Sequence, residues 1–340
     1  MIKIGLVGIG FMGRIHFLAS QQLRDAKVTA IASRDAAKLA GDWTHTRGNF
    51  GPEPGMVNLD GIQKYDSLDA LLADPEIDLV DICNPNHLHA ETVIAALQAG
   101  KHVLVEKAIA LTPEDADAML DAARKAGKLL MVAHVLPFFP EFQYAAEIVR
   151  SGKYGKLLAA HFTRVISRPD WSSEMADLSL SGGPAIDLHI HDTHFIGLLC
   201  GVPQAVFATG VVERGTVTQL TTQYLYGSDG PSVTAMSGDL SMKSRPFVHG
   251  YEIFLEHATI SYSSDGIPLR LLSADGVTHP TFPGGGGELS AFTTELQMAV
   301  DGVARGEMPE LLSGQLARDA LVMCYRECES VKSGKVIPIG

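Results

Sequence analysis

The chain opens on a mostly apolar run, Ile2–Val7, interrupted by Lys3 and Gly5, which stops at Gly8 and gives way to a mixed polar and apolar stretch. A short apolar run bounded by turn residues predicts a strand buried on both faces. The same texture returns at 28–32, 78–83, 101–106 and 129–133. Between these lie segments with helical spacing: 14–23, then 90–99 closed by Gly100, then a helix opened by Pro113 and closed by Gly127. Proline just inside the start and glycine just past the end mark helix limits. Strand and helix in alternation predict a parallel sheet with helices on both faces. The interval 41–61, rich in Gly, Pro and Asn, breaks the rhythm and is expected to form an inserted loop.

Beyond about Leu136 the pattern changes. A helix at 142–151 and a strand at 157–166 lead into Thr, Val and Tyr-rich runs at 205–212, 216–226, 232–238, 251–256 and 258–262. Consecutive strands with no helix between them predict a largely antiparallel sheet. Helices at 289–305 and 313–333 close the chain. A length of 340 residues suits two domains, here placed at 1–134 and 135–340. The fold class is therefore α/β.

Charge narrows the partners. With 27 Lys and Arg against 39 Asp and Glu the net charge is −12, which argues against nucleic acid and anionic membranes. No segment approaches the ~18 uninterrupted apolar residues of a membrane span, and the N-terminus lacks the basic flank of a signal peptide. A cytoplasmic protein is expected. Cys83, Cys200, Cys324 and Cys328 form neither a disulfide framework nor a zinc spacing and read as small core residues.

The chemistry begins where the first strand ends, at Gly8-x-Gly10-x-x-Gly13. Between a strand and a helix this spacing is a dinucleotide-binding fingerprint. Gly8 serves the tight turn, Gly10 admits a pyrophosphate close to the backbone, and Gly13 lets helix and strand pack closely. Phe11, Met12 and Gly13 would offer helix N-terminal amides to the phosphates. At the end of the second strand an NAD protein usually carries an acidic residue for the ribose 2′-hydroxyl. This chain instead reads Ser33-Arg34-Asp35, with Asp35 past the strand end as a turn residue or helix cap. Ser33 can hydrogen-bond, and the Arg34 fork suits a phosphate, so NADP is the expected cofactor. NAD stays open if Arg34 only stacks on adenine.

Four motifs in order, the fingerprint, Asn84-Pro-Asn86-His-Leu-His89, Glu106-Lys107 and Gly182-Gly183-x-x-x-Asp187-x-x-x-His191, resemble the Gfo/Idh/MocA oxidoreductases. The terminal Ser330-x-x-Ser-Gly334-Lys335 pattern is similar too. The resemblance spans essentially the whole chain. It implies a Rossmann domain, a C-terminal α/β domain with a large open sheet used in homodimers or homotetramers, and NAD(P)-dependent oxidation or reduction of a sugar, inositol or related polyol. It also places Asn84, Asn86, His89, Glu106 and Lys107 around the cofactor, and Lys107, Asp187 and His191 at the chemistry.

Those three residues suit the reaction. Moving a hydride from an alcohol also requires removal of the hydroxyl proton, which imidazole does well near neutral pH. Asp187, one helical turn from His191, would orient the ring or hold a neighbouring hydroxyl. The Lys107 ammonium would polarise the reacting oxygen. Arg164, Arg168 and Trp171 are candidates to rim the substrate pocket. Asp187, His191 and His194 would also fall on one stripe, as a metal site does. Hydride transfer needs no metal, however, so none is expected and His194 reads as packed core or support. Ala108 stands where the family usually has proline, and a non-proline cis bond costs ~3 kcal/mol, so a trans peptide is expected there. Two other readings remain: a cofactor-bound regulator without turnover, and an enzyme that keeps its cofactor through a redox cycle on one sugar.

Overall fold

The computed structural model describes residues 1–168, 182–282 and 289–340, which leaves Trp171 outside the described residues. It divides into two compact units, Met1–Phe138 with Gly286–Arg318, and Phe139–Gly285 with Asp319–Gly340.

The first unit is built on six parallel strands: β1 (Ile2–Val7), β2 (Ala26–Ala32), β3 (Gln63–Tyr65), β4 (Leu79–Ile82), β5 (His102–Glu106) and β6 (Leu130–Ala133). Their order is β3-β2-β1-β4-β5-β6. Helices α1 (Phe11–Ser20), α2 (Ala36–Leu39), α3 (Leu68–Leu72), α4 (His89–Gln98) and α5 (Pro113–Ala126) connect them. The strands β4 and β5 are buried along their length apart from the half-buried His102, as their apolar runs require. The order reverses between β1 and β4, and in such sheets ligands bind beyond the strand ends at the reversal. Local chemistry sets α5: the Thr112 hydroxyl accepts the Asp115 N–H, Pro113 opens the helix, and Gly127 closes it at φ 62°.

The interval 41–61 is anchored to α1. Trp43 is fully buried, edge-on to Phe17 at 4.9 Å, and donates through Nε1 to Lys38 O. Phe50 meets Phe11 edge-on at 4.8 Å, and Arg14 donates to Pro52 O.

The second unit contains α6 (Pro140–Ser151), β7 (Leu157–Ser167), α7 (Pro184–Asp187) and α8 (Ile190–Cys200). The strands β8 (Ala205–Glu213), β9 (Thr216–Leu225), β10 (Ser232–Ser241), β11 (Val248–Leu255), β12 (Ala258–Ser263), β13 (Ile267–Ser273), β14 (Gly276–Thr278) and β15 (Ile337–Pro338) complete a nine-stranded sheet with β7. Its order is β14-β13-β12-β11-β7-β10-β9-β8-β15. Every pairing is antiparallel except β7 with β10, in line with the expected mostly antiparallel sheet.

Two further helices follow, α9 (Ser290–Arg305) and α10 (Gly314–Ser333). The first unit includes α9, although a boundary at 134/135 gives the helix to the second domain. Its apolar stripe, Phe292, Leu296 and Ala299, is buried, and Thr293 donates to Ala19 O of α1. A helix stripe shows that it needs a partner, but the partner lies some 270 residues back in the chain. Among the described residues no helix is long and apolar enough to cross a membrane.

Candidate active site

The fingerprint turn has the geometry its glycines suggest. Gly8 sits at φ 90°, and a Cβ there would stand 2.5 Å from Asn84 N. A Cβ at Gly13 would meet Gly8 O at 2.0 Å, so helix and strand touch through backbone alone. Around Gly10 nothing lies within 4 Å of that position, which leaves the backbone open to a ligand. No side chain caps α1, whose first turn is Phe11, Met12 and Gly13, so its leading amides lack helix carbonyl partners. The Phe11 ring is turned to Phe50.

At the end of β2, the Ser33 hydroxyl accepts the Asp35 N–H at 3.1 Å. The Asp35 carboxylate accepts from Ala37 and Lys38 N–H as the cap of α2, so it is committed to the helix. Arg34 is exposed beside them.

Beyond β4, Asn84 donates to Thr92 Oγ1 at 2.8 Å, while its Oδ1 is buried with no hydrogen-bond partner among the described residues. A buried, unmatched acceptor beside an open glycine turn fits a bound polar ligand. These features together fit a dinucleotide. Asn86 opens a single 3-10 turn and is half-buried.

Two expected cofactor contacts are corrected. His89 is fully buried, with Nδ1 2.8 Å from Ala108 O and Nε2 2.9 Å from Asn84 O, so it clamps two loops together. Burial pushes its pKa down against the pull of those carbonyls. Glu106 also turns inward. Its Oε1 lies 3.0 Å from His16 Nε2, in ion-pair range, and its Oε2 accepts the Lys107 backbone N–H at 3.0 Å. The Lys107–Ala108 peptide is cis, against the expected trans. Lys107 follows β5 and is half-buried.

In the second unit, Asp187 ends α7 and His191 stands in the first turn of α8. The helix expected to carry both is broken at Leu188 and His189. Within 187–194 only Asp187 and His191, of the titratable residues, keep partial exposure; His189, Asp192 and His194 are buried. His189 lies 2.7 Å from Ser237 Oγ through Nδ1 and 2.5 Å from Glu327 Oε2 through Nε2. Thr222 also donates to that glutamate oxygen. His194 is forced down to about 3 by burial, as a packed core histidine.

Arg164 is corrected from pocket rim to core. It is 4% exposed, and its Nε and Nη2 both donate to Asp192 at 2.9 Å. Arg168 is exposed and pairs with Asp239 and Glu213.

Sequence reasoning missed His16, Asp81, Glu295, Ser237 and Glu327. Asp81, an acid inside an apolar strand, was the available signal, since such residues are rarely buried unpaired. Among the described residues, the only group of three or more His, Cys, Asp and Glu ligand atoms close enough to share an ion is His16, Asp81 and Cys83. Burial and Asp81 push the Cys83 thiol up.

The fold and these features define a dinucleotide-binding Rossmann unit joined to a second unit carrying a large, mostly antiparallel sheet. Residues 2–134 match the model of an oxidoreductase family with an NAD-binding Rossmann fold, and residues 142–261 match the Gfo/Idh/MocA C-terminal domain. The chain belongs to the Gfo/Idh/MocA oxidoreductase family. It is 31% identical over 217 residues to 2,7-anhydro-N-acetylneuraminate hydratase of Escherichia coli, covering 62% of this chain and 53% of that protein. The chain thus spans about half the length of that relative. Identity to myo-inositol 2-dehydrogenase of Thermotoga maritima is 27% over 361 residues, covering 99% and 98% of the two chains. A solved levoglucosan dehydrogenase, in complex with NADH and levoglucosan, superposes with a TM-score of 0.85 at 21% identity, covering 99% of each chain. At that identity the likeness speaks for the fold alone.

Proposed function

We propose that this chain is a nicotinamide-dependent oxidoreductase acting on a CH–OH group of a sugar, inositol or related polyol, with NADP preferred over NAD. The observation that carries the reading is selective exposure: in a stretch where His189, Asp192 and His194 are buried, Asp187 and His191 remain reachable. His191 takes the hydroxyl proton in oxidation and returns it in reduction. Asp187 orients that ring or holds an adjacent hydroxyl. Lys107 donates to the reacting oxygen as negative charge develops there. Gly8, Gly10, Phe11, Met12, Gly13, Asn84 and Asn86 hold the cofactor, which accepts or supplies the hydride when bound. Ser33 and Arg34 would receive a 2′-phosphate, a preference supported by the capping duty of Asp35. Trp171 remains a proposed substrate contact.

A polyol substrate agrees with the name of the inositol relative. The hydratase relative favours a second reading, since hydration carries no net redox change and a redox cycle would then leave the cofactor on the protein. Absorbance of the nicotinamide, followed with both cofactors against a panel of sugars and polyols, separates the readings. Reduced cofactor in excess over protein supports the dehydrogenase. Substrate loss without net cofactor change supports the retained-cofactor cycle, and binding without any turnover supports a regulator. A cytoplasmic homodimer or homotetramer accompanies the proposal. It is supported by apolar side chains exposed on the large sheet, such as Phe207, Val211, Met236 and Leu240, and is testable by light scattering.

A further inference from the structure

His16 follows the fingerprint by three residues, on α1, and is fully buried. Both ring nitrogens face carboxylates: Nδ1 is 3.0 Å from each oxygen of Asp81, and Nε2 is 3.0 Å from Glu106 Oε1. The Nδ1–Asp81 contact is a hydrogen bond, whereas Nε2 and Glu106 Oε1 meet as an ion-pair contact without hydrogen-bond geometry. Burial pushes the His16 pKa down, but Asp81 and Cys83 outweigh it and hold the ring well above the usual imidazole range. Glu295 on α9 lies in electrostatic reach, fully buried, with neither oxygen hydrogen-bonded among the described residues. Burial drives its carboxyl well above the usual range, with Glu106 and Asp81 adding to the shift against the pull of His16. The cluster therefore favours a protonated His16 ring between Asp81 and Glu106 and disfavours charge on Glu295.

Such a cluster is a poor way to fill space, because apolar side chains of similar volume often serve stability as well or better. What it adds is direction. Glu106 has one oxygen on His16 and the other on the backbone N–H of Lys107.

We infer that His16 is a positioning residue for Lys107: clamped between Asp81 and Glu106, it fixes the glutamate whose second oxygen holds the Lys107 backbone. The inference rests on the proposed role of Lys107 as the group that polarises the substrate oxygen. His16 itself touches no substrate, and it acts only through where Lys107 stands.

A double-mutant cycle tests this. His16→Gln lowers kcat about tenfold in the wild-type background with KM for the cofactor unchanged, and less than about twofold in a Lys107→Ala background. Glu106→Gln keeps a side-chain oxygen for the Lys107 N–H but loses its charge; it serves as the second variant if His16→Gln does not fold. A readout independent of turnover is amide hydrogen exchange on the cofactor-free protein. Exchange at Lys107 rises about tenfold in His16→Gln, while β1 amides keep wild-type rates. Full additivity of the His16 and Lys107 effects, or unchanged exchange at Lys107, overturns the inference. If Lys107→Ala leaves kcat intact, the proposed role of Lys107 falls instead, and the exchange measurement alone decides whether His16 fixes that backbone.

Discussion

The two units each bury a histidine against a glutamate next to a residue proposed for chemistry, yet they do it from different distances along the chain. In the first unit His16 meets Asp81 and Glu106, and the supported residue, Lys107, is the glutamate's own neighbour. In the second unit His189 meets Glu327, 138 residues later, and holds the break between α7 and α8 on either side of which Asp187 and His191 sit. The first support works through a backbone hydrogen bond and so controls one peptide. The second pins a helix junction to a sheet, through Ser237, and to α10. A buried histidine–carboxylate pair in one unit holds a single peptide; in the other it fixes where two helices meet.

Substitutions break this comparison in order of size. His191→Ala removes the proposed proton carrier and is expected to lower kcat about a hundredfold or more with cofactor affinity retained, read by steady-state kinetics and a binding titration. An unchanged kcat would remove His191 from the chemistry. Glu327→Leu leaves the His189 ring buried without its carboxylate and costs about 3–5 kcal/mol of stability by urea unfolding. A loss below about 1 kcal/mol would mean the junction does not depend on that pair. Arg34→Ala reduces the preference for NADP over NAD by about tenfold, the worth of one charge-assisted contact of about 1.4 kcal/mol, measured as a ratio of dissociation constants. A ratio that does not move would assign NAD and leave Arg34 as a surface residue.

A further expected effect concerns pH. His194 and His249 are both held near 3 in the folded chain, His194 by burial and His249 by burial with Arg164 adding to it. An unfolded chain protonates them near the ordinary value of 6.5. Between those values the unfolded state binds more protons, so each histidine lowers stability as pH falls, by up to about 1.4 kcal/mol per pH unit, and contributes nothing above 6.5. His189, whose pKa Glu327 raises against burial, has the opposite sign, with its contribution complete below 6.5 and lost as pH rises through its folded value. His194→Leu therefore flattens the acid limb of a urea-midpoint profile without shifting its alkaline side. A slope equal to wild type would show that His194 already titrates in the folded protein.

The same contrast explains what could be read from the chain. Gly8, Gly10 and Gly13, the Asp35 cap and the Pro113–Ala126 helix between Thr112 and Gly127 are local features, decided by neighbours within a few residues. They were legible for that reason, and so was the alternation that sets the parallel sheet. Long-range pairing was not. Arg164 looked like a pocket-rim cation until its partner proved to be Asp192, across 28 residues. His89 and Glu106 sit in motifs that suggest cofactor contact, and only the fold shows their side chains turned to Ala108, Asn84 and His16. Short elements escaped too. The helices α2 and α3 have four and five residues, too few to display a 3.6-residue period.

Transfer of a labelled hydride tests the central claim most directly. The protein is given NADPH deuterated at the nicotinamide C4 and a panel of keto and aldo sugars, and the products are read by mass spectrometry. One deuterium appears on carbon in a reduced sugar, and the yield collapses in His191→Ala. Label that stays on the nicotinamide with every sugar, or a yield indifferent to His191, would contradict the account.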